Sequence, residues 1–239
     1  MANITNYLKA GQPGLIMQTA EIERAINQTK VECKFRKLSW DLHQGVINPD
    51  TGEVISDIVD PIDLANWLSD QSNTVIFAQM YHKFFDDIQV LQAVLNNLNN
   101  WEACGCCLCL IGPDIKVPPE VEPFFMSVEF ELPSYDELME IQRQLGEPHQ
   151  IESYGPAAEA AAGLTEFEAE TAFALSVIQS KKFDPAIVIE QKKQMIKKSG
   201  LMEFHPPADE SEVGGLHPFK KYLKNRLRAF QPGGEGLPK

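Results

Sequence analysis

Residues 74–82 read TVIFAQMYH, from Thr74 to His82, and the reading of this stretch decides the fold. Thr74 to Ala78 are apolar or β-branched without a break, with polar residues 70–73 before them and Asp86-Asp87 after. A run this short, apolar on both faces, predicts a central strand of a parallel sheet covered by helices on either side. In a nucleotide hydrolase such a strand would end in a carboxylate near Mg²⁺; here Gln79, Met80 and Tyr81 follow.

Working outward, the same alternation repeats. Residues 14–18 (GLIMQ) form a first strand, followed by Thr19-Ala-Glu21-Ile-Glu23-Arg24. Thr19 is expected to cap a helix whose first turn holds Glu21 and Glu23. A phosphate-cradling loop at this place needs several glycines and a Lys before its Ser/Thr, and this turn has neither. Its two carboxylates would repel a triphosphate. A second strand spans 34–40, and Asn48-Pro-Asp-Thr-Gly52 is the tip of a hairpin-like excursion. Asp60-Pro61 opens a helix through Leu64, Trp67 and Leu68. A helix over 86–100 carries Ile88, Leu91, Val94, Leu95 and Leu98 on one stripe. Strands at 106–111 and 126–131 flank Pro118-Pro119, and Ser134 to Glu137 is a capping box opening a helix to about residue 145.

Beyond Gly146 only helices are predicted. Thr165 to Glu168 is a second capping box, heading a helix with Phe167, Ala172, Leu175 and Ile178 near one face. Asp184-Pro185 starts another, carrying Ile187, Ile189, Met195 and Ile196 and stopped by Gly200. Residues 205–212 have linker composition. A last amphipathic helix turns Phe219, Leu223, Leu227 and Phe230 inward, with Lys220, Lys224 and Arg228 on its other face. The expected architecture is a five-stranded, mostly parallel, doubly wound α/β sheet over residues 1–146. A helical lid follows over 147–204, then a linker and entry helix over 205–239.

Charge is divided unevenly: residues 1–180 carry −18 and residues 181–239 carry +5, giving −13 for the 239-residue chain. An acidic body repels nucleic-acid phosphate, so no such partner is expected. Uncharged stretches are too short to cross a bilayer, and a cytoplasmic protein without a membrane partner is expected. Cys104-Gly-Cys106-Cys107-Leu-Cys109 has the density of a metal site. As a strand it would turn Cys104 and Cys106 to one face and Cys107 and Cys109 to the other. Buried core thiols are therefore favoured over a metal or redox centre.

An α/β sheet, a helical segment and Val213-Gly-Gly-Leu216 follow in the order of AAA+ ATPases. The chain resembles the tandem AAA+ family encoded by a conserved chloroplast and cyanobacterial reading frame, over nearly its whole length. The family's Thr-Glu-Arg turn in place of a P-loop matches Thr19, Glu21 and Arg24, and its Trp-Asp-x-x-x-Gly matches Trp40, Asp41 and Gly45. The stretch between its modules matches Gly163, Leu164, Thr165, Lys193, Ile196, Lys198, Ser199, Gly200, Glu203 and Phe204. Met80 stands where the family's third strand commonly ends in Asp. The resemblance implies a degenerate P-loop in this module, with ATP and Mg²⁺ used by a second, catalytic module whose P-loop lies beyond Lys239 or on another chain. It also implies assembly into a ring, a hexamer when complete, and places Val213, Gly214 and Gly215 near the nucleotide of that second module.

No catalytic residue and no metal ligand is expected in the chain itself. Thr19, Trp40, Asp41 and His82 are the candidates for a ligand edge, because they lie at strand carboxyl ends. The leading reading is a non-hydrolysing regulatory and assembly module. One alternative is a subunit of an active ATPase completed by another chain. The other is a small-molecule-binding domain using the edge at Trp40 to His43.

Overall fold

A computed structural model describes residues 3–199 and 215–227, which fall in two compact units, Met1–Lys192 and Lys193–Lys239. In chain order the elements are α1 (Thr5–Lys9), β1 (Gly14–Gln18), α2 (Ile22–Gln28), β2 (Arg36–Asp41), β3 (Gly45–Ile47) and β4 (Val54–Ser56). Next come α3 (Pro61–Ser69), β5 (Thr74–Gln79), α4 (Ile88–Cys104), β6 (Cys107–Gly112) and β7 (Phe125–Ser127). The helices α5 (Tyr135–Gly146), α6 (Gly155–Ala161), α7 (Glu166–Ser180), α8 (Pro185–Ser199) and α9 (His217–Leu227) complete the described chain.

The sheet has seven strands, not five, in the order β4-β3-β2-β5-β6-β1-β7. The five expected strands all pair in parallel. The two extra ones are the arms of the 48–52 excursion: β3 folds back antiparallel on β2 and β4 antiparallel on β3, which extends the sheet. Their short, broken pattern hid them from a reading by periodicity. Gly45 is required at that fold-back: its φ is +72°, and an added Cβ would lie 2.6 Å from the Ser56 carbonyl oxygen.

β5 is the central strand its sequence announced, buried from Thr74 to Ala78 between β2 and β6. Its side chains alternate between two cores. Ile76 and Ala78, with Leu108 and Leu110 of β6, face α3 and α4. Val75 and Phe77, with Cys107, Cys109 and Ile111, face α1 and α2. Asp60 caps α3 through bonds from the Ile62 and Asp63 amides, with Pro61 at the first helical position, as expected.

Other boundaries moved. α4 begins one residue after Asp87, its cap, and runs on to Cys104, where Gly105 ends it in the left-handed region. Cys104 is therefore helical, and Ile88 is exposed rather than part of the inner stripe. The fifth strand stops at Ser127, so Glu129 and Glu131 lie beyond it: the chain leaves the sheet to place Phe130 and the Glu131 carbonyl against Arg24.

Both capping boxes form as predicted, at Ser134 with Glu137 and at Thr165 with Glu168. α5 packs on α6 and α7. The helical core uses small residues, Ala157, Ala158, Ala161, Ala169 and Ala172, around the edge-to-face pair Phe173 and Phe183 at 5.8 Å. The inner face of α7 is thus Ala169, Ala172, Phe173, Ser176 and Val177; Phe167 and Ile178, expected inward, are exposed. In α8 the buried side chain is Val188, not its neighbours Ile187 and Ile189.

In the second unit, α9 leaves Phe219 and Leu223 exposed, against expectation: no described residue of this unit covers its apolar side. Gly200, Arg228, Phe230 and the linker 205–212 lie outside the described residues, as do the side chains of Lys224 and Leu227.

Gly146 offers a test of the helical half. Within a helix, Gly→Ala gains roughly 0.5–1 kcal/mol, but a Cβ here would stand 2.2 Å from the Ile151 backbone oxygen. Backbone cannot swing aside as a side chain can, so Gly146→Ala is expected to destabilise by about 2–3 kcal/mol. Urea unfolding of the pure variant measures this.

Candidate functional site

The carboxyl ends of the strands form the ligand edge of an open α/β sheet. Thr19 follows β1, Trp40 and Asp41 close β2, and His82 follows β5. Thr19 and His82 each adjoin Gly112, the last residue of β6. The Thr19 amide donates to the Gly112 carbonyl at 2.8 Å. A Cβ added to Gly112 would sit 3.2 Å from the His82 Cε1. Asp41 stands apart, because β5 and β6 lie between β2 and β1; three strand spacings are about 14 Å.

Trp40 and Asp41 are held by local structure. The Trp40 ring is fully buried, meets Tyr81 edge-on at 5.7 Å, and donates its indole N–H to the Ile58 carbonyl at 2.7 Å. Tyr81 in turn donates to the Pro61 carbonyl at 2.9 Å, and burial, aided by the charge of Asp60, raises its phenol pKa. Asp41 Oδ1 accepts from the His43 and Gln44 amides at 2.7 and 2.8 Å and so shapes the β2–β3 turn. Gly215 is exposed with φ +70°, while Val213 and Gly214 lie outside the described residues.

His82 is buried, and neither ring nitrogen reaches hydrogen-bonding geometry with a protein partner. Burial lowers its pKa below the usual 6.5 and the Lys83 cation adds to this; the Asp114 backbone and carboxylate pull the other way. The imidazole is therefore held neutral. Met80 precedes it in the left-handed region at φ 58°, which turns the chain sharply at the end of β5.

The most heavily partnered side chain near this edge is Arg24, whose place in the family-like turn was legible but whose partners were not. Its side chain is only 9% exposed. Nη1 reaches Glu21 Oε2 at 2.9 Å and the Glu131 carbonyl at 3.1 Å. Nη2 lies 3.3 Å from Glu137 Oε1, and Nε lies 3.3 Å from Glu166 Oε2. The guanidinium also covers the Phe130 ring at 4.8 Å. These partners are 106 to 142 residues away or belong to its own turn, so spacing in the sequence gives no sign of them.

Glu21 completes the arrangement. It occupies the N-cap position of α2, but its side chain caps none of the α2 amides. Its Oε1 instead accepts the Glu166 amide at 2.5 Å, at the first turn of α7. Thr19 is consequently not the cap expected: its hydroxyl accepts the Glu21 amide at 3.1 Å and fixes the turn. Partial burial would raise the Glu137 carboxyl pKa, but bonds from the Ser134 amide and hydroxyl, together with Arg24, outweigh it and hold the group below its usual 4.5.

The cysteines divide by face as expected, Cys106 with the α3–α4 core and Cys107 with Cys109 in the other. Burial drives the thiols of Cys107 and Cys109 strongly upward, which disfavours the thiolate that metal or redox chemistry requires. Among the described residues no group of three or more His, Cys, Asp or Glu is placed to hold a metal ion.

Family models match both halves of this arrangement: the N-terminal domain of SpoVK-like AAA ATPases over residues 1–130, and their second domain over residues 138–199. The chain belongs to the SpoVK-like AAA ATPase family. It is 24% identical to the AAA domain-containing protein ycf46 of Guillardia theta, over 97% of this chain and 49% of that protein. The ycf46 protein of Trieres chinensis is 22% identical, over 97% of this chain and 50% of its own length. The resemblance to the chloroplast family is thereby confirmed. The chain spans about half the length of the curated relatives it matches. Similar solved structures include the RuvB Holliday junction branch migration motor of Thermotoga maritima, at 14% identity and TM-score 0.47 over 94% of this chain and 72% of that one. Another is the FIGL-1 AAA domain in complex with ADP, at 11% identity and TM-score 0.48 over 90% and 78%.

Two predictions follow from Arg24 and His82. Removing a buried charge that holds other charges costs about 3–5 kcal/mol, less where the partners are solvent-screened as Glu137 and Glu166 are. Arg24→Met is expected to lose about 2–3 kcal/mol in urea unfolding, and Glu166→Gln less than about 1 kcal/mol.

The second concerns acid. His82 and Glu137 both have folded pKa values below their ordinary ones, so each contributes stability that is present above the ordinary value and lost as pH falls through the depressed one. Thermal unfolding is expected to weaken first below pH 6.5 and again below pH 4.5. His82→Leu should remove the first decline, and Arg24→Met should flatten the second.

Proposed function

We infer that this chain is a non-hydrolysing N-terminal regulatory and assembly module of an AAA ATPase. The observation that carries the reading is the closed ionic cluster at the turn after β1. A bound triphosphate there would meet Glu21 and Glu23 with no glycine-rich loop and no lysine. The one cation, Arg24, is already held by three carboxylates. No carboxylate follows β5 at Met80, where a Mg²⁺ ligand would be expected. The residues present do not fit ATP and Mg²⁺, and no chemical step is assigned to them.

In the organisation proposed, residues 1–146 form a degenerate AAA+-like domain, 147–204 a helical lid, and 205–239 a linker and entry helix. The partner is the P-loop module of the same ATPase, which would use ATP and Mg²⁺ and bring Val213 to Gly215 near its nucleotide. A ring, hexameric when complete, is the assembly this reading favours. A second reading is a subunit whose ATPase core is supplied in trans, and the family match over residues 1–130 and 138–199 supports it as much as the first. Neither reading calls on a membrane, and no described helix is long and apolar enough to cross one.

Isothermal titration of the chain with ATP and Mg²⁺ tests the first reading. No binding is expected up to about 1 mM nucleotide, some thousandfold weaker than a micromolar site. Micromolar binding would overturn it.

A further inference from the structure

Helix α7 is apolar on two sides. Its inner side is packed, as described above. Its outer side repeats at Phe167, Thr171, Ala174 and Ile178, at intervals of four, three and four residues, which keeps one stripe along a helix. Phe167 is 76% exposed and Ile178 is 67% exposed. Between them Thr171 and Ala174 are small enough to let another helix approach closely. A second apolar stripe is unusual on a helix whose inner side is already packed, and from Phe167 to Ile178 it runs about 16 Å along the axis.

The charges at its two ends indicate what covers it. Glu166, Glu168 and Glu170 crowd the first half of α7, and Lys181 and Lys182 follow its last turn. Lys182 pairs with Asp184, whereas Glu170 and Lys181 have no ionic partner among the described residues. Laid antiparallel on a copy of itself, the acidic end of each helix meets the basic end of the other, and the helix dipoles run in opposite senses. A parallel pairing would set like charges side by side. Self-complementarity of this kind is what a two-fold interface requires.

We propose that the outer face of α7 is a two-fold docking surface for a second copy of this chain, with Phe167 of each copy meeting Ile178 of the other across Thr171 and Ala174. Phe167 adjoins Glu166 of the Arg24 cluster, but the pairing calls on no nucleotide at that turn, so it holds or fails independently of ATP binding. One helix width is a small contact, and the pairing is correspondingly weak.

Sedimentation velocity of the full chain from about 5 to 500 µM tests it. A monomer–dimer equilibrium is expected, with Kd on the order of 10–200 µM. Phe167→Glu is expected to raise Kd at least about tenfold with an unchanged circular dichroism spectrum, since the ring is largely in solvent. In this register Glu170 and Lys181 of the other copy stand about 9 Å apart along the axis, so Glu170→Lys and Lys181→Glu should each raise Kd about two- to threefold at low salt, and the double exchange should return it towards the starting value. A monomer throughout the range would overturn the proposal. So would an oligomer that survives Phe167→Glu, which would assign α7 to another occupant.

Discussion

A guanidinium almost sealed from water is costly to hold unless every side of it is answered. Arg24 is answered on all of them: Glu21 from its own turn, Glu137 from α5, Glu166 from α7, the Glu131 carbonyl from the segment after β7, and the face of Phe130. The consequence is architectural. The turn that ends the first strand and the starts of helices α5 and α7 converge on one side chain. Their mutual placement within the first compact unit therefore depends on a cation that is part of the chain.

The carboxylates around it are not surplus. Glu137 closes the capping box of α5 with Ser134, and Glu21 accepts the first amide of α7. Both therefore sit where helix amides and the helix dipole favour a negative charge. The same two features make helix starts attractive to external anions. In this protein its own side chains supply those anions, and Arg24 screens their mutual repulsion. The result is a set of partners that reinforce one another: the helix starts stabilise the carboxylates, and the carboxylates stabilise the arginine.

Much of this fold could be read before any coordinates. The apolar run of β5 declared its central place because both faces of the strand are covered, and Asp60-Pro61, Ser134 and Thr165 marked helix starts through local chemistry that needs no distant partner. What escaped had one of two causes. Arg24's bonds to Glu131, Glu137 and Glu166 span 107 to 142 residues, and a salt bridge leaves no periodic trace. In α7, periodicity placed Ala172 correctly but favoured the large residues Phe167 and Ile178, while the real interior also needed Ala169 and Ser176 so that neighbouring helices could come close. Size misleads wherever a core is built by close approach rather than by bulk. For the site, Thr19 and His82 each adjoin Gly112, but only the strand order reveals that Asp41 is three strands from Thr19.

The conformation of Glu21 explains why the turn after β1 is closed rather than poised to open. With φ −96° and ψ 59° it lies outside the helical region, so its side chain leaves α2 and reaches across to α7. An anion arriving at this turn would have to displace that carboxylate, which uncovers the Glu166 amide and takes one of three counter-charges from Arg24. It would also have to enter a field already negative by two, one guanidinium against three carboxylates. Each change is unfavourable by itself, and they must occur together because the same two residues take part in all of them. Coupling of this kind holds the turn more firmly than any single bond in it.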